Sequence, residues 1–399
     1  MSRFVLDPDM LLGVGASAGV REKPDVEGNW REDVLLMREL GVKTCCLDVS
    51  WARLEPEESL FDRNALDDLR EEILLLRGLH ILPLLRFDRD TPPDWFLKKG
   101  GWENADNIRA WLLYIERVVR EIGHLVCEYI TFIEPNAYAM HAFLSDERSP
   151  AHRVRAMMSA SHVMSVMATA HIRAYRLIHD LRRGLGFSDT KVGFSLQMYM
   201  FRVSHRMEFV RAGGTKNVEK WFHKQPLSAM ATGHFTLPMR APQRVRPGTY
   251  CDFLGVNYGG MFTWGGNTGV LHARRDDLGR EINASGIGKC CRDALDVVGD
   301  MPIYITGISI ADSRDVSRAR FISEHLEVLS ASGLPVARVY YQGLFDGKEE
   351  NNACGLAGTD ENGDRMLLRS GSFFAELIEE KGLSEEMYQN YVAGQEYPQ

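Results

Sequence analysis

The sequence predicts an α/β protein folded as a single (β/α)8 TIM barrel. Short β-like hydrophobic runs alternate with longer amphipathic stretches along the whole chain, the pattern of βα units around a parallel sheet. Eight such runs can be traced. No Gly-, Ser- or Pro-rich linker divides the 399 residues, and one large barrel accommodates that length.

The predicted strands are Leu11 to Gly15, Lys43 to Ser50, His80 to Phe87, Cys127 to Ile133, Lys191 to Met198, Cys251 to Asn257, Pro302 to Gly307 and Val336 to Gly343. Each is a mainly apolar run of strand length, as a sheet covered on both faces requires. Between them, Asn64 to Gly78, Asn107 to Gly123 and Met157 to Arg183 carry apolar residues at three- and four-residue intervals and read as helices. The least regular stretches are Phe201 to Gly248 and Trp264 to Gly288. Both follow strands, on the face where barrel sites form, and read either as binding segments or as solvated connections.

Composition narrows the function. With 45% hydrophobic and 26% charged residues the chain is ordinary for a globular protein, and its net charge of −8 argues against non-specific nucleic-acid binding. Asp7 and Asp9 fall where a signal peptide would be apolar, and no stretch has the roughly 18 apolar residues of a membrane span. The expectation is a cytoplasmic protein with no membrane partner. Seven cysteines include the adjacent pairs Cys45-Cys46 and Cys290-Cys291 without C-x-x-C spacing, and read as buried thiols. Twelve histidines form no H-E-x-x-H pattern. Neither a metal nor another cofactor is expected, and a homodimer is compatible with a barrel of this size.

Several landmarks occur in a meaningful order. They are Leu12-Gly13-Val14-Gly15-Ala16-Ser17-Ala18, Trp30 to Met37, Ser50-Trp51-Ala52-Arg53-Leu54, Gly100-Gly101-Trp102-Glu103-Asn104, Thr131-Phe132-Ile133-Glu134-Pro135, Gly255-Val256-Asn257-Tyr258, Pro302 to Asp312, and Arg318 to Leu326 with His325. Together they resemble family 1 glycoside hydrolases from about Leu12 to Phe374. The resemblance implies a TIM barrel acting on glycosides, with Glu134 as the catalytic acid/base. It also exposes a departure: Pro302-Ile303-Tyr304-Ile305-Thr306-Gly307 is similar to the strand whose glutamate is the family's nucleophile, and here that place holds Gly307.

Other family positions change with it. By the same resemblance, Val20 replaces a sugar-binding Gln, Ile133 an Asn, Cys46 the Arg that orients the nucleophile, and Gly259 a Tyr, while Arg86-Phe87-Asp88 stands for H-W-D. In the last βα loop only Glu349 remains as a candidate sugar contact, and Lys348 lacks the Ser and Tyr partners of the phospho-sugar branch. Each lost charge-assisted contact removes on the order of 1.5–3 kcal/mol, so a family-typical glucoside is a poor substrate.

Retaining glycosidases need two carboxyl groups roughly 5–5.5 Å apart. Glu134, beside apolar Ile133 and Pro135, suits a general acid; its alternative is an inherited carboxylate that only hydrogen-bonds a neighbour. Gly307 would leave room for a water, an anion or a substrate's own nucleophile, and Asp312 or Asp315 could supply a carboxylate from elsewhere or merely start a helix. Arg86 reads either as paired with Asp88 or Glu134, or as a planar fork for a ligand's carboxylate or phosphate. Ile133, Val20 and Phe87 would flank that ligand with apolar surface, and Asn257 would line the mouth.

Trp51, Trp95, Trp102 and Trp221 read as packing residues, as do Met157, Met158, Met164 and Met167 on their helix, with His162 and His171 structural. The leading expectation is a divergent family member without standard retaining β-glucosidase activity that binds a small glycoside or an anionic sugar derivative. The alternatives are a glycosidase of non-standard mechanism using Glu134, and a non-catalytic interaction protein.

Overall fold

The computed structural model describes residues 2–15, 30–88, 92–144, 150–203, 214–264, 273–345, 353–360 and 364–397. Strand β1 (Ser2–Val5) lies outside the main sheet and pairs antiparallel with Gly382–Ser384 near the other end of the chain. The main sheet is a closed barrel of eight parallel strands: β2 (Leu11–Gly15), β3 (Thr44–Ser50), β4 (Leu82–Asp88), β5 (Glu128–Ile133), β6 (Lys191–Val203), β7 (Phe253–Trp264), β8 (Ile303–Ile308) and β9 (Val336–Gln342), with β9 closing back onto β2. The (β/α)8 fold expected from the hydrophobic runs is the fold observed.

Two apolar cores hold it. The larger lies between sheet and helices; for example, Ile108–Ile122 buries Trp111, Tyr114, Ile115 and Val118 against Phe87 and Phe132 from the strands. Trp51, Phe96, Trp102, Trp111 and Tyr114 stack within it, so the tryptophans act in packing. The smaller core fills the barrel interior with Cys46, Leu84, Ile130, Phe253, Tyr304 and Tyr340. Below it the buried Glu128 carboxylate is bound by the Tyr304 hydroxyl (3.0 Å), Lys191 (3.3 Å) and Arg338 (3.4 Å), which satisfies a charge that burial would otherwise make costly. The interior is thus a packed plug, and two cavities open toward the C-terminal ends of the strands.

Two expectations need correction. Helix Pro150–Gly184 buries Met164 and Met167, but Met157 and Met158 are exposed, because residues 155–159 are exposed or half-buried around the helix. The stretch from Phe201 to Gly248 is more regular than its composition suggests. Strands β6 and β7 continue above the barrel as a parallel ribbon, pairing Phe201 with Phe262 and Arg202 with Thr263, and helices Gly214–Glu219 and Gln225–Thr232 follow. Contacts among Tyr199, Phe201, Phe222 and Phe262 give this extension an apolar face to fold on.

The described cysteines, all seven, are free thiols. Among the described residues no helix is long and apolar enough to cross a membrane, and no group of three His, Cys, Asp or Glu could hold a metal.

Candidate active site

Glu134 follows the last residue of β5 and precedes helix Pro135–Leu144. Its φ of 48° is left-handed, a conformation costing on the order of 1 kcal/mol for a residue with a Cβ, and its N–H donates to the Ser195 carbonyl at 2.8 Å. The next turn is locked to β6: buried Asn136 donates to the Gln197 carbonyl (2.8 Å) and accepts the Gln197 N–H (3.1 Å). This ties Glu134 and Gln197 into one unit.

Both carboxylate oxygens of Glu134 are engaged. The Asn257 amide donates to Oε1. The Gln197 carboxamide, oriented with its nitrogen toward the carboxylate, donates to Oε2 at 3.0 Å while its oxygen accepts from the Gly259 N–H at 3.2 Å. Even so, the half-buried residue lines a cavity of about 470 Å³ with Tyr138, His141, Gln197 and Tyr199.

Gly307 is not beside a void. A Cβ there would lie 2.3 Å from Asn257 Oδ1 and 2.8 Å from Gln342 Cγ, and Gln342 is fixed by donating to the Thr306 carbonyl at 2.8 Å. The room expected for a water, an anion or a substrate's nucleophile is therefore taken by two amide side chains. Gly259 is filled in the same way: its Cβ would meet the Tyr199 ring at 2.1 Å and the Gln197 amide at 2.4 Å. Burial pushes the Tyr199 phenol up to about 12, with Glu134 adding to the rise and Arg280 opposing it.

Arg86 is 3% exposed and forks onto Asp48, Nε to Oδ1 at 2.6 Å and Nη2 to Oδ2 at 2.7 Å. Burial is the largest single influence and acts to lower its pKa, but the charge and hydrogen bonds of Asp48 together with Cys46 and Glu134 turn the net direction upward. Of the expected partners, Glu134 gives way to Asp48, which takes two nitrogens of the fork and commits it within the protein instead of offering it to a ligand. Burial pushes the neighbouring Cys46 thiol up to about 12, the expected state of a packed thiol.

Neither loop aspartate replaces the missing carboxylate. Asp312 is buried and accepts from the Ser317 N–H (2.7 Å) and hydroxyl (3.0 Å); Asp315 accepts from Arg318 (3.0 Å) and the Ser370 N–H (2.9 Å). Ile133 is half-buried against the interior core, and Asn257 lines a second cavity. Phe87, expected beside a ligand, is fully buried on the other face of β4 against Trp111 and Tyr114, because strand alternation turns it away from the interior side that Arg86 occupies. Asp88 ends β4, its side chain outside the described structure; Val20, Lys348 and Glu349 also lie outside the described residues.

The residues missed from sequence are Asp48, Gln197, Tyr199 and Gln342. A signal existed for three of them: Asp48 sits two residues after inward-facing Cys46, and Gln197 and Tyr199 continue the inward alternation of Ser195 along β6.

An eight-stranded parallel barrel with a carboxylate and a cavity at the C-terminal end of its fourth barrel strand is a TIM barrel with its site where barrel enzymes carry theirs. The family model "Glycosyl hydrolase family 1" matches residues 24–247, and the chain belongs to that family. It is similar to a beta-glycosidase from Pyrococcus horikoshii, at 25% identity, TM-score 0.80 and 98% coverage of both chains. The beta-glucosidase from Thermotoga maritima in complex with deoxynojirimycin shares the fold at 18% identity and TM-score 0.78, covering 96% of this chain and all (100%) of that one. A 1,4-beta-D-glucan glucohydrolase from Thermotoga neapolitana is 23% identical across 90% of this chain and 88% of its own length. A galactolipid galactosyltransferase, SFR2, from Arabidopsis thaliana is 22% identical across 87% of this chain and 56% of its own length.

Proposed function

We propose that this family 1 protein does not carry out the two-carboxylate retaining displacement and uses its barrel mouth to bind a small glycoside or an anionic sugar derivative. The observation carrying this reading is the occupied space at Gly307, where Asn257 and Gln342 stand within 3 Å of the direction a side chain would take. With no carboxylate at that point, and with Asp312 and Asp315 held elsewhere, the family's nucleophile position supplies Glu134 no partner for retention, and the Glu134 oxygens are turned to Asn257 and Gln197. That one relative bears the name of a galactosyltransferase supports the use of this fold for a reaction other than glucoside hydrolysis.

A second reading rests on Glu134 lining an open cavity in a strained backbone conformation, a combination associated with functional sites. In it Glu134 is an acid/base for a substrate carrying its own nucleophile. Turnover of 4-nitrophenyl β-glucoside separates the two. The first reading expects no hydrolysis above buffer by the pure protein, and none restored by azide, because the nucleophile's place is filled. Robust hydrolysis lost in Glu134→Gln would overturn it; activity on any glycoside that survives Glu134→Gln would remove the second.

A further inference from the structure

A second cavity, about 450 Å³, opens between the extended part of β7 and the segment 273–283. Glycines shape its wall. At Gly260, with φ +77°, a Cβ would come within 2.4 Å of the Glu281 carbonyl, so the segment packs directly on the strand and Met261 N–H donates to that carbonyl at 3.2 Å. Tyr199 and Phe262 line the cavity as aromatic walls, while Asn257 and Gln342 bring carboxamides to it.

The carboxylates lining this space are already engaged. Buried Asp276 accepts from the N–H groups of Leu278, Arg280 and Ala311 and from Arg280 Nε at 2.6 Å. Glu281 is gripped by the fork of Arg202, two bonds of 3.0 Å. Arg275 and Arg280 line the cavity, and Arg202, outside the lining, forks onto Glu281 from beyond it, so three guanidiniums face these two carboxylates. The balance is cationic. Arg280 contributes its Nε to Asp276 and also hydrogen-bonds Cys354, yet its side chain remains 45% exposed, leaving part of the guanidinium turned to the cavity. The other cavity carries the Glu134 carboxylate, which repels an anion, and Gln197 and Tyr199 form the wall common to both.

We propose that the cavity between β7 and residues 273–283 takes a polyhydroxylated molecule bearing one carboxylate or phosphate, its anionic group on Arg280 and its hydroxyls toward Asn257, Gln342 and Tyr199. A planar guanidinium matches either anion geometrically, and the volume suits a monosaccharide or disaccharide. The proposal rests on the mouth being a ligand site and is independent of whether a neutral glucoside is hydrolysed.

Calorimetric titration of the full chain with D-glucuronate, glucose 6-phosphate, glucose and inorganic phosphate tests it. At least one anionic sugar is expected to bind about tenfold or more tightly than glucose and than inorganic phosphate. Whichever of the two binds tighter identifies the anion. Arg280→Gln is expected to abolish the preference while lowering Tm, since buried Asp276 loses its charged partner, and Arg280→Lys, which keeps that pairing without the fork, to reduce the preference with little change in Tm. Equal binding of glucose, no binding of either anionic sugar at about 20 mM, or a preference that survives both substitutions would overturn the proposal. Hydrolysis of 4-nitrophenyl β-glucoside would strike the proposed loss of retaining chemistry and leave this site standing.

Discussion

Arg86 illustrates how one residue can look like a ligand contact and prove to be internal structure. A guanidinium 3% exposed inside a barrel is tolerable when a carboxylate meets it, and Asp48, across the β3–β4 ladder in direct register, meets two of its nitrogens. Removing Asp48 leaves the charge stranded. Asp48→Ala should therefore lower unfolding stability by about 3 kcal/mol, the lower end of the range for buried pairs because the Asp48 side chain keeps 18% exposure. Asp48→Leu combined with Arg86→Met should recover most of the loss, since an apolar pair removes both desolvation penalties. Urea denaturation of the single and double variants measures this, and a double variant as unstable as Asp48→Ala would contradict the pairing argument.

At the scale of elements, β6 and β7 build the mouth between them. Tyr199 and Gln197 on β6 occupy the space that Gly259 leaves on β7, and that packing brings the Gln197 amide to Glu134. Gly259→Ala should cost about 1–3 kcal/mol by overpacking, and much less in a Tyr199→Ala background, where the nearest ring atoms are gone. A double-mutant cycle in denaturant reads the coupling; additive losses would mean the two strands do not share this contact. The barrel strands were legible from the sequence because a buried parallel sheet writes itself as apolar runs, and Leu11 to Gly15 matches the observed strand in full. The extensions to Val203 and Trp264 were not, since Arg202, Thr263 and the neighbouring glycines dilute the run that the aromatic contacts later stabilise. Within the site, inward parity could mark Gln197 and Tyr199 as facing the interior, but not that they would close over a glycine on the next strand. That depends on cross-strand register, which pairs Gln197 with Asn257 and Asn257 with Gly307.

Across the whole molecule, three buried histidines tie the barrel to its outer layer and set how it responds to acid. His171 accepts the Thr131 hydroxyl at Nδ1 (2.6 Å) and donates from Nε2 to the Tyr250 carbonyl (2.8 Å), which fixes a neutral ring between β5 and the approach to β7. His223 accepts the Tyr199 N–H at Nε2 (3.2 Å), and His325 donates to the Phe321 carbonyl (2.8 Å). Burial lowers His171 to about 3 and His325 to about 4 from an ordinary 6.5; burial, with Lys289 and Lys224 nearby, lowers His223 to about 3. The sign follows from proton counting. Below pH 6.5 the unfolded chain binds protons at these sites that the folded chain refuses, so their contribution is fully present above that pH and is lost progressively toward pH 4 and 3. Each histidine contributes on the order of 1 kcal/mol per pH unit in that window. Denaturant midpoints should thus hold steady from about pH 8 to 7 and fall steeply between about pH 6 and 5. His171→Gln, which keeps donor and acceptor groups but cannot titrate, should make the fall shallower even if it lowers the plateau. A midpoint unchanged between pH 7 and 5, or an equally steep fall in His171→Gln, would show that these rings do not govern the acid limit of the fold.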